Sequence, residues 1–360
     1  MTHAKDLVLA CYARWDGVGR PFAVVERATP RVPGRGELLV RVDMATVCGS
    51  DLHTVSGRRS SPVPGVLGHE QVGTVVGVGE GGVLCVDGTP VAPGMRVVWS
   101  VISSCGRCDR CARGLSQKCR GLRKYGHEPL LEGAPLTGGF ASHCVVLPGT
   151  AVVAVPDGVP DEVASPASCA TATVAAALAA TGPLADRRVL VTGAGMLGLT
   201  AVAMAVTAGA RVVAVDPDPL RREQARMFGA AEVLDGAIPP EEVDVALEFS
   251  GRSSAVRVCL DSLGMGGTAV LVGSVAPDDP VRVDPERLVR GLNRIVGVHN
   301  YRPEDLLTAV EFLAAHHDSF PFADLVEGRF ALGDVGSAFE AARLRAAPRQ
   351  AVAPGCVLPM

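Results

Sequence analysis

The sequence has little of what marks a membrane, nucleic-acid-binding or secreted protein. No run in its 360 residues approaches the roughly 20 apolar residues that cross a bilayer. The formal net charge of −4 gives no electrostatic reason to expect a nucleic acid or an anionic membrane as a partner. The apolar run at residues 7–13 is too short and too poorly flanked for a secretory signal. These absences predict a soluble cytoplasmic protein that handles a small molecule.

Wholesale disorder and a small disulfide scaffold are also excluded. Hydrophobic residues make up 48% of the chain and charged residues 20%, which is a globular balance. The length predicts about two domains, each large enough to bury a core. The 11 cysteines matter because a dense cysteine cluster in a reducing cytosol more often binds metal than forms disulfides.

The pattern of the sequence changes near residue 170. Short β-rich runs separated by Gly and Pro come first, at residues 38–42, 72–78, 96–100 and 142–147, with a hairpin signal at 84–91. Ala-rich helical stretches then alternate with buried strand candidates at 188–192, 211–216, 243–249, 268–273 and 294–298. This alternation predicts a parallel sheet with helices on both faces. The last part of the chain predicts helices at 304–315 and 334–344 and a strand near 327–330.

A glycine-rich turn, TGAGMLG, follows the strand candidate at 188–192. Its GxGxxG spacing permits a tight turn and lets backbone N–H groups approach a pyrophosphate at a helix N-terminus. The next strand candidate ends in Asp216, whose carboxylate would bond ribose hydroxyls and repel a 2′-phosphate. We therefore predict NAD rather than NADP, although Arg221 and Arg222 could hold a phosphate. The predicted contacts of this part of the cofactor are Gly193, Gly195, Met196, Leu197, Gly198 and Asp216.

Four thiols lie within a short segment rich in Gly and Arg, at Cys105, Cys108, Cys111 and Cys119. Thiolates at such spacing can converge tetrahedrally on one Zn²⁺ as a closed structural site. An iron–sulfur cluster also takes four cysteines, but its commonest ferredoxin spacing ends in Cys-Pro, which is lacking here. The remaining alternative is four unrelated free cysteines. The segment predicts structural zinc.

Three further runs are unremarkable one by one: CGSDLH at 48–53, GHE at 68–70 and CATAT at 169–173. In this order, and together with the cysteine segment and the glycine turn, they make the chain resemble the zinc-dependent medium-chain alcohol dehydrogenases over nearly its whole length. The resemblance implies an α/β fold with two domains. A GroES-like β-barrel catalytic domain would comprise residues 1–170 and 299–360, and a Rossmann NAD-binding domain with a doubly wound parallel sheet would comprise residues 171–298.

The resemblance also assigns roles to residues. Cys48, His69 and Cys169 would bind a catalytic Zn²⁺, with Glu162 as an alternative third ligand found in other family members. The catalytic residues would be Ser50 and His53, which transfer a proton, and Glu70, which would lie beside the metal or bind it transiently. The nicotinamide end of NAD would contact Thr173, Ser250, Gly273, Ser274 and His299.

The chain departs from the family pattern at two positions, and a finer likeness bears on the substrate. Met95 replaces the usual carboxylate of the family's GDRV turn, which is a local departure. Gly49 stands where some classical alcohol dehydrogenases have an Arg that holds the pyrophosphate, and this places the chain nearer the polyol and threonine dehydrogenases. The runs at 57–59, 122–128 and 169–174 resemble a branch associated with phosphonate metabolism. They suggest that an anionic substrate group meets some of Arg58, Arg59, Lys124 and His127. The alternative is a solvated basic loop.

The resemblance therefore implies hydride transfer between NAD and a polar alcohol, secondary or bearing a phosphonate or phosphate. Two Zn²⁺ per chain and a homodimer or homotetramer are expected, with neither nucleic acid nor membrane as partner. The alternatives are a neutral cyclitol or polyol as substrate, a lyase or isomerase that uses NAD transiently, and a non-enzymatic zinc protein that binds NAD. The zinc-free quinone reductases are disfavoured because they lack these ligands. Net NADH formation from an alcohol separates a dehydrogenase from a lyase or isomerase.

Overall fold

The computed structural model describes residues 7–236, 242–344 and 347–355, and divides into two compact units. The first unit takes in the described residues up to Cys169, the segment Arg302–His317 and the described residues from Phe322 onwards. The second consists of the described residues of Ala170–Tyr301 and of Asp318–Pro321. The domain boundaries drawn from the sequence near residues 170 and 299 stay a prediction.

The first unit is built on two β-sheets. The smaller has the order β2-β1-β4, and the larger has the order β16-β17-β3-β5-β6-β7, with β8 paired to β3 and β9 to β6. The pairings are antiparallel except that of β16 with β17. The strands are β1 (Leu7–Trp15), β2 (Ala23–Pro30), β3 (Leu38–Thr46), β4 (Gly65–Val66), β5 (Gln71–Val78), β6 (Arg96–Ser103), β7 (Arg123–Lys124), β8 (His143–Val146), β9 (Thr150–Ala154), β16 (Val326–Ala331) and β17 (Arg349–Ala353).

The core of this unit lies between these sheets and the helices that cover them. The helices are α1 (Gly49–Val55), α2 (Asp109–Ala112), α3 (Asp161–Ala164), α9 (Pro303–His316) and α10 (Val335–Leu344). Buried Trp99 and Tyr125 meet edge to face with ring centroids 6.4 Å apart. The Tyr125 hydroxyl lies 2.7 Å from Thr150 Oγ1 and accepts a hydrogen bond from Leu147 N at 2.8 Å. Tyr125 thus fastens the segment after the cysteines to the main sheet.

The second unit contains a six-stranded parallel sheet in the order β12-β11-β10-β13-β14-β15. Its strands are β10 (Arg188–Thr192), β11 (Arg211–Val215), β12 (Glu232–Leu234), β13 (Val243–Glu248), β14 (Leu263–Leu271) and β15 (Arg294–Gly297). Its helices are α4 (Ala170–Ala179), α5 (Met196–Thr207), α6 (Pro219–Met227), α7 (Ser253–Asp261) and α8 (Pro285–Arg290). The predicted α/β class with a doubly wound parallel sheet is confirmed.

The order of this sheet determines where a ligand can bind. The chain runs from β10 outwards through β11 to β12 and then returns to place β13 on the other side of β10. Ligands of such sheets bind at the carboxyl ends of the strands, where the order reverses. The turn after β10, which carries the glycine motif, lies at this point.

The structure agrees with most of the predicted elements and adds several. The two late helices end within a residue of their predicted limits. The expected hairpin at 84–91 is a single bridge between Leu84 and Pro90 closed by a turn, because the segment is too short for paired strands. The sequence pattern does not predict β1, β2, β4, β7, β9, β12 or β17. No helix among the described residues is long and apolar enough to cross a membrane.

Candidate metal centres and nucleotide site

One candidate metal centre joins three distant parts of the first unit. Ligand atoms of Cys48, His69, Glu70 and Cys169 all lie within 4.8 Å of one another. Cys48 immediately precedes α1, and the His-Glu pair immediately precedes β5. Cys169 follows a short 3₁₀ turn in which Ser168 Oγ donates to the carbonyl of His69 at 3.3 Å. These contacts hold two sulfur atoms and one imidazole around one point.

The chemistry of this donor set suits zinc. Zn²⁺ binds thiolate sulfur and imidazole nitrogen, and the sulfur must be deprotonated. The pKa of Cys48 lies well below its usual range, chiefly because the thiol of Cys169 donates to it, and the nearby positive charge of Arg349 acts in the same direction. Glu162, the alternative third ligand, is not in this group, and its Oε1 lies 3.9 Å from Arg329 Nη1.

The second group comprises the four cysteines of the predicted structural site, and their sulfur atoms also lie within 4.8 Å of one another. The Sγ atom of Cys108 lies 3.5 Å from that of Cys111 and 3.9 Å from that of Cys119. Backbone N–H groups of Cys105 and Gly121 donate to Cys119 Sγ at 3.2 and 3.3 Å. Hydrogen bonds from backbone N–H groups lower the pKa of Cys108 to about 6, and that of Arg120 has the largest effect. Four convergent sulfurs fit one tetrahedral Zn²⁺, which would bind them as thiolates.

The glycine turn of the second unit has the shape that a dinucleotide needs. A Cβ on Gly198 would stand 1.8 Å from the carbonyl oxygen of Gly193, so helix and turn pack backbone to backbone. A Cβ on Gly195 would meet only Arg221 Nη1, at 4.0 Å, so the space in front of the turn is open. No side chain caps α5, and the first N–H groups of a helix lack intrahelical partners. This end of α5 suits a pyrophosphate.

Asp216 lies directly after β11, beside this turn. Its side chain is almost fully buried; Oδ2 accepts from Ala194 N at 2.8 Å, and Oδ1 accepts from Asp218 N at 2.9 Å. Arg221 Nη1 lies 3.8 Å from Asp216 Oδ2. Arg222 instead donates to the carbonyls of Asp216 and Pro217, at 2.8 Å each, so backbone oxygens hold it.

The other residues predicted to contact the cofactor lie at several places. Ser250 and Ser274 converge, because both hydroxyls donate to the buried carboxylate of Glu248, at 2.8 and 3.3 Å. Thr173 lies buried in α4, and His299 is exposed two residues after β15. Glu248 itself is not predicted by the sequence.

Family models match both parts of the chain. The model described as the alcohol dehydrogenase GroES-like domain covers residues 34–157, and that described as zinc-binding dehydrogenase covers residues 197–315. The 5-exo-hydroxycamphor dehydrogenase of Pseudomonas putida is 31% identical over 327 residues, which is 86% of this chain and 89% of that one. The chain belongs to the zinc-dependent medium-chain alcohol dehydrogenase family.

Solved structures agree with this assignment. An alcohol dehydrogenase from Thermotoga maritima superposes with a TM-score of 0.89 at 28% identity, over 97% of this chain and 100% of that one. A zinc-binding dehydrogenase from Sinorhizobium meliloti 1021, bound to NADP, gives a TM-score of 0.84 at 25% identity, over 96% and 100% of the two chains. The present dehydrogenase is thus an oxidoreductase of alcohols that uses NAD(P), and the GroES-like assignment of its first unit is confirmed.

The sequence pattern misses two residues of the dehydrogenase's first candidate metal centre. Asp51 is fully buried; its Oδ1 lies 3.3 Å from His69 Nδ1, and its Oδ2 accepts from Cys48 N at 3.0 Å. It therefore turns Nε2 of His69 towards the centre, where Ser50 Oγ lies 3.2 Å away. A buried carboxylate commonly orients a ligand histidine in this way.

Arg349, at the start of β17, is the second missed residue. Its Nε and Nη2 donate to the two oxygens of Glu70 at 2.6 and 2.7 Å, and Thr46 Oγ1 adds a bond at 2.7 Å. Burial is the largest influence on the pKa of Glu70 and raises it to about 7 against the opposing effect of Arg349. No local sequence signal singles out Arg349, because it begins a strand that the sequence pattern does not predict. Both oxygens of Glu70 are thus already bonded by this chain.

We predict that Arg349→Leu destabilises the first unit by about 3 to 5 kcal/mol, because it leaves the Glu70 carboxylate buried without its partner. Both tryptophans, Trp15 and Trp99, lie in the first unit, so tryptophan fluorescence during urea unfolding reports on that unit. The matched control is Arg329→Leu, which breaks only the exposed pair with Glu162 and should cost less than about 1 kcal/mol. Equal losses in the two variants would contradict a special contribution of the buried pair to stability.

Proposed function

We propose that the chain is a zinc- and NAD-dependent dehydrogenase of a polar alcohol that carries an anionic group. The convergence of Cys48, His69 and Cys169 beside Ser50 is the observation that carries the proposal. These three residues would hold a catalytic Zn²⁺, and the four cysteines of the second group would hold a structural one. When bound, zinc would polarise the alcohol and lower its pKa, and NAD⁺ would accept the hydride.

The chain's own residues handle the proton that the alcohol releases. Ser50 Oγ lies 3.2 Å from Nε2 of His69, a proposed ligand of the metal. His53 follows three residues later on the same helix, a spacing that places two side chains on one face. Ser50 would take the proton of the substrate, and His53 would pass it to solvent. The bonding of Glu70 to Arg349 supports a role for Glu70 in holding the centre's shape and charge.

We predict two zinc ions per chain, with separable ligand sets. Cys111→Ser should lose one ion and lower the thermal unfolding temperature, while the folded fraction still forms NADH. Cys169→Ala should lose the other ion and abolish NADH formation with the fold intact, as circular dichroism would show. Cys85→Ala, at a buried cysteine outside both groups, is the control and should keep both ions. Elemental analysis that finds one zinc or none in the wild type would refute the assignment.

The cofactor preference is proposed to be NAD, through Asp216. Its carboxylate would accept the ribose hydroxyls and repel a 2′-phosphate. Arg221 is the opposing candidate because its Nη1 lies 3.8 Å from Asp216 Oδ2 and 4.0 Å from where a Cβ on Gly195 would stand. The relative from Sinorhizobium meliloti is bound to NADP, so the relatives alone do not decide this preference.

Asp216→Ser should lower the ratio of kcat/KM for NAD over NADP by about tenfold or more, since about 1.4 kcal/mol corresponds to a factor of ten. The reason is that the substitution removes a negative charge from the site of the 2′-phosphate. Arg221→Ala is the companion variant and should leave or increase the NAD preference. The opposite result would be a wild type that uses NAD and NADP with equal kcat/KM while Arg221→Ala uses NADP less well. That result would show that Arg221, and not Asp216, determines the cofactor preference.

The anionic group of the substrate is proposed from half-buried cations near His69. The ring of His127 lies 5.6 Å from that of His69, between centroids. Burial and the positive charge of nearby Arg59 lower the pKa of Lys124. Among the described residues, neither Arg59 nor Lys124 forms an ion pair with a carboxylate. Glu128 accepts instead from Arg123 Nε and from the backbone N–H of Lys124, both at 2.9 Å. Unpaired cations in such a place favour an anionic ligand.

Two of the four residues named from the sequence are weaker partners for an anion than expected. Burial lowers the pKa of His127 to about 2, so His127 is an uncharged hydrogen-bonding group at neutral pH. Arg58 is exposed to solvent. The proposed anion site therefore consists of Arg59 and Lys124, whose charges act on His127, the neighbour of the proposed metal ligand His69.

Lys124→Met should raise KM about ten- to a hundredfold for a hydroxyalkylphosphonate or glycerol 3-phosphate, because a hydrogen bond to a charged group contributes about 1.5 to 3 kcal/mol. Added salt should weaken the wild-type preference for these substrates. NADH formation is measured across this panel, with glycerol and inositol as neutral alcohols and Arg58→Ala as the control for a surface cation. The proposed anion site would be refuted if the wild type preferred a neutral alcohol and Lys124→Met showed the same preference.

Self-association as a homodimer or homotetramer also stays a proposal. It is supported by β15, which lies at one edge of the described parallel sheet and exposes Ile295, with Val289 and Leu292 exposed close by in sequence. An unpaired strand edge with apolar neighbours suits a second copy of the chain. A monomer in light scattering would refute it.

A further inference from the structure

Glu248 is a fully buried carboxylate without an assigned role. It is the last residue of β13, in the middle of the parallel sheet, and its side chain is 0% exposed. Within the described part of the chain, no lysine, arginine or histidine forms an ion pair with it. Burial of an unpaired carboxylate is costly unless hydrogen bonds compensate. The donors that satisfy Glu248 therefore indicate what it holds in place.

Three donors converge on this carboxylate from two loops. Ser250 Oγ and the backbone N–H of Gly251 donate to Oε1, at 2.8 and 2.6 Å. Ser274 Oγ donates to Oε2 at 3.3 Å. The loop that follows β13 and the segment that follows β14 are thus joined through one side chain.

The backbones of these loops approach one another so closely that a side chain would not fit at two of their glycines. Gly251 has φ +71°, and a Cβ there would stand 2.5 Å from the carbonyl oxygen of Gly273. A Cβ on Gly193, in the glycine turn, would stand 2.8 Å from Ser250 N. Glu248 therefore lies where the glycine turn, the loop after β13 and the end of β14 meet.

We propose that Glu248 is a positioning residue for the nicotinamide half of the cofactor. This inference rests on the proposed NAD-dependent function. Asp216, after β11, marks the adenosine side of the sheet, and the strand order reverses between β10 and β13. A dinucleotide that crosses this point places its other half over the ends of β13 and β14. Glu248 fixes the two loops that would contact it.

The direction of the hydrogen bonds adds a chemical consequence. A hydroxyl has one proton to donate, and both serine hydroxyls donate it to Glu248. Ser250 Oγ already accepts from Arg252 N at 3.1 Å. Ser274 Oγ thus presents lone pairs only, and it suits a ligand donor such as the nicotinamide carboxamide or a ribose hydroxyl.

The test is Glu248→Gln, which keeps the shape but replaces one accepting oxygen with a donating amide. NADH and AMP are titrated into the zinc-loaded protein by calorimetry. We expect the Kd of NADH to rise about tenfold or more, the loss expected for a hydrogen bond to a charged group. The Kd of AMP, which occupies only the adenosine side, should not change. The matched control is Glu232→Gln, at a partly exposed carboxylate of the same sheet that pairs with Arg188.

Ser274→Ala gives an independent result if Glu248→Gln folds poorly. It should also raise the Kd of NADH and leave that of AMP unchanged, and the double variant should lose less than the sum of the two single losses. An equal rise for NADH and AMP would show that Glu248 only supports the fold of the unit, and an unchanged NADH affinity would show no role; either overturns the inference. A wild type that binds AMP but neither NADH nor NADPH would refute both this inference and the proposed function.

Discussion

The buried pair of Glu70 and Arg349 is the interaction on which the first candidate metal centre depends. The carboxylates of Asp51 and Glu70 and the sulfur of Cys48, whose thiolate form is favoured, lie close together out of water, and buried negative charges repel one another unless a cation is present. Arg349 supplies that cation through two short bonds to Glu70 and a contact of 3.5 Å with Cys48 Sγ. The pair also ties β17 to the start of β5. One guanidinium therefore contributes both to the charge balance of the centre and to the attachment of β17 beside the start of β5.

The second unit depends on a different constraint, the close approach of backbones. Helix α5 packs so tightly on the turn after β10 that no side chain fits at Gly198. The same closeness recurs where Gly251 meets the carbonyl of Gly273. Because the backbones touch, N–H groups and loop ends face the edge of the sheet where a dinucleotide binds. The buried carboxylates of Asp216 and Glu248 then fasten the loops on the two sides of that edge.

Charge accounts for the proposed choice of substrate and of cofactor. Asp216 places a negative charge beside the glycine turn, while Arg59 and Lys124 place positive charges near His69. In each case the group is at least partly shielded from water, where an interaction between charges is stronger than at the surface. A substrate with a phosphonate or phosphate and a cofactor without a 2′-phosphate are the ligands that complement this distribution.

The sequence by itself determined the features that depend on neighbouring residues. The spacing of the four cysteines, the GxGxxG turn and the alternation of strands and helices predicted a zinc segment, a nucleotide turn and a parallel sheet, because each is local backbone geometry. Only the tertiary structure decided which distant groups compensate one another. Glu70 and Arg349 are 279 residues apart, and Glu248 takes its role from loops after two different strands. Burial and charge balance arise from the folded arrangement, so neither residue type nor spacing along the chain predicts them.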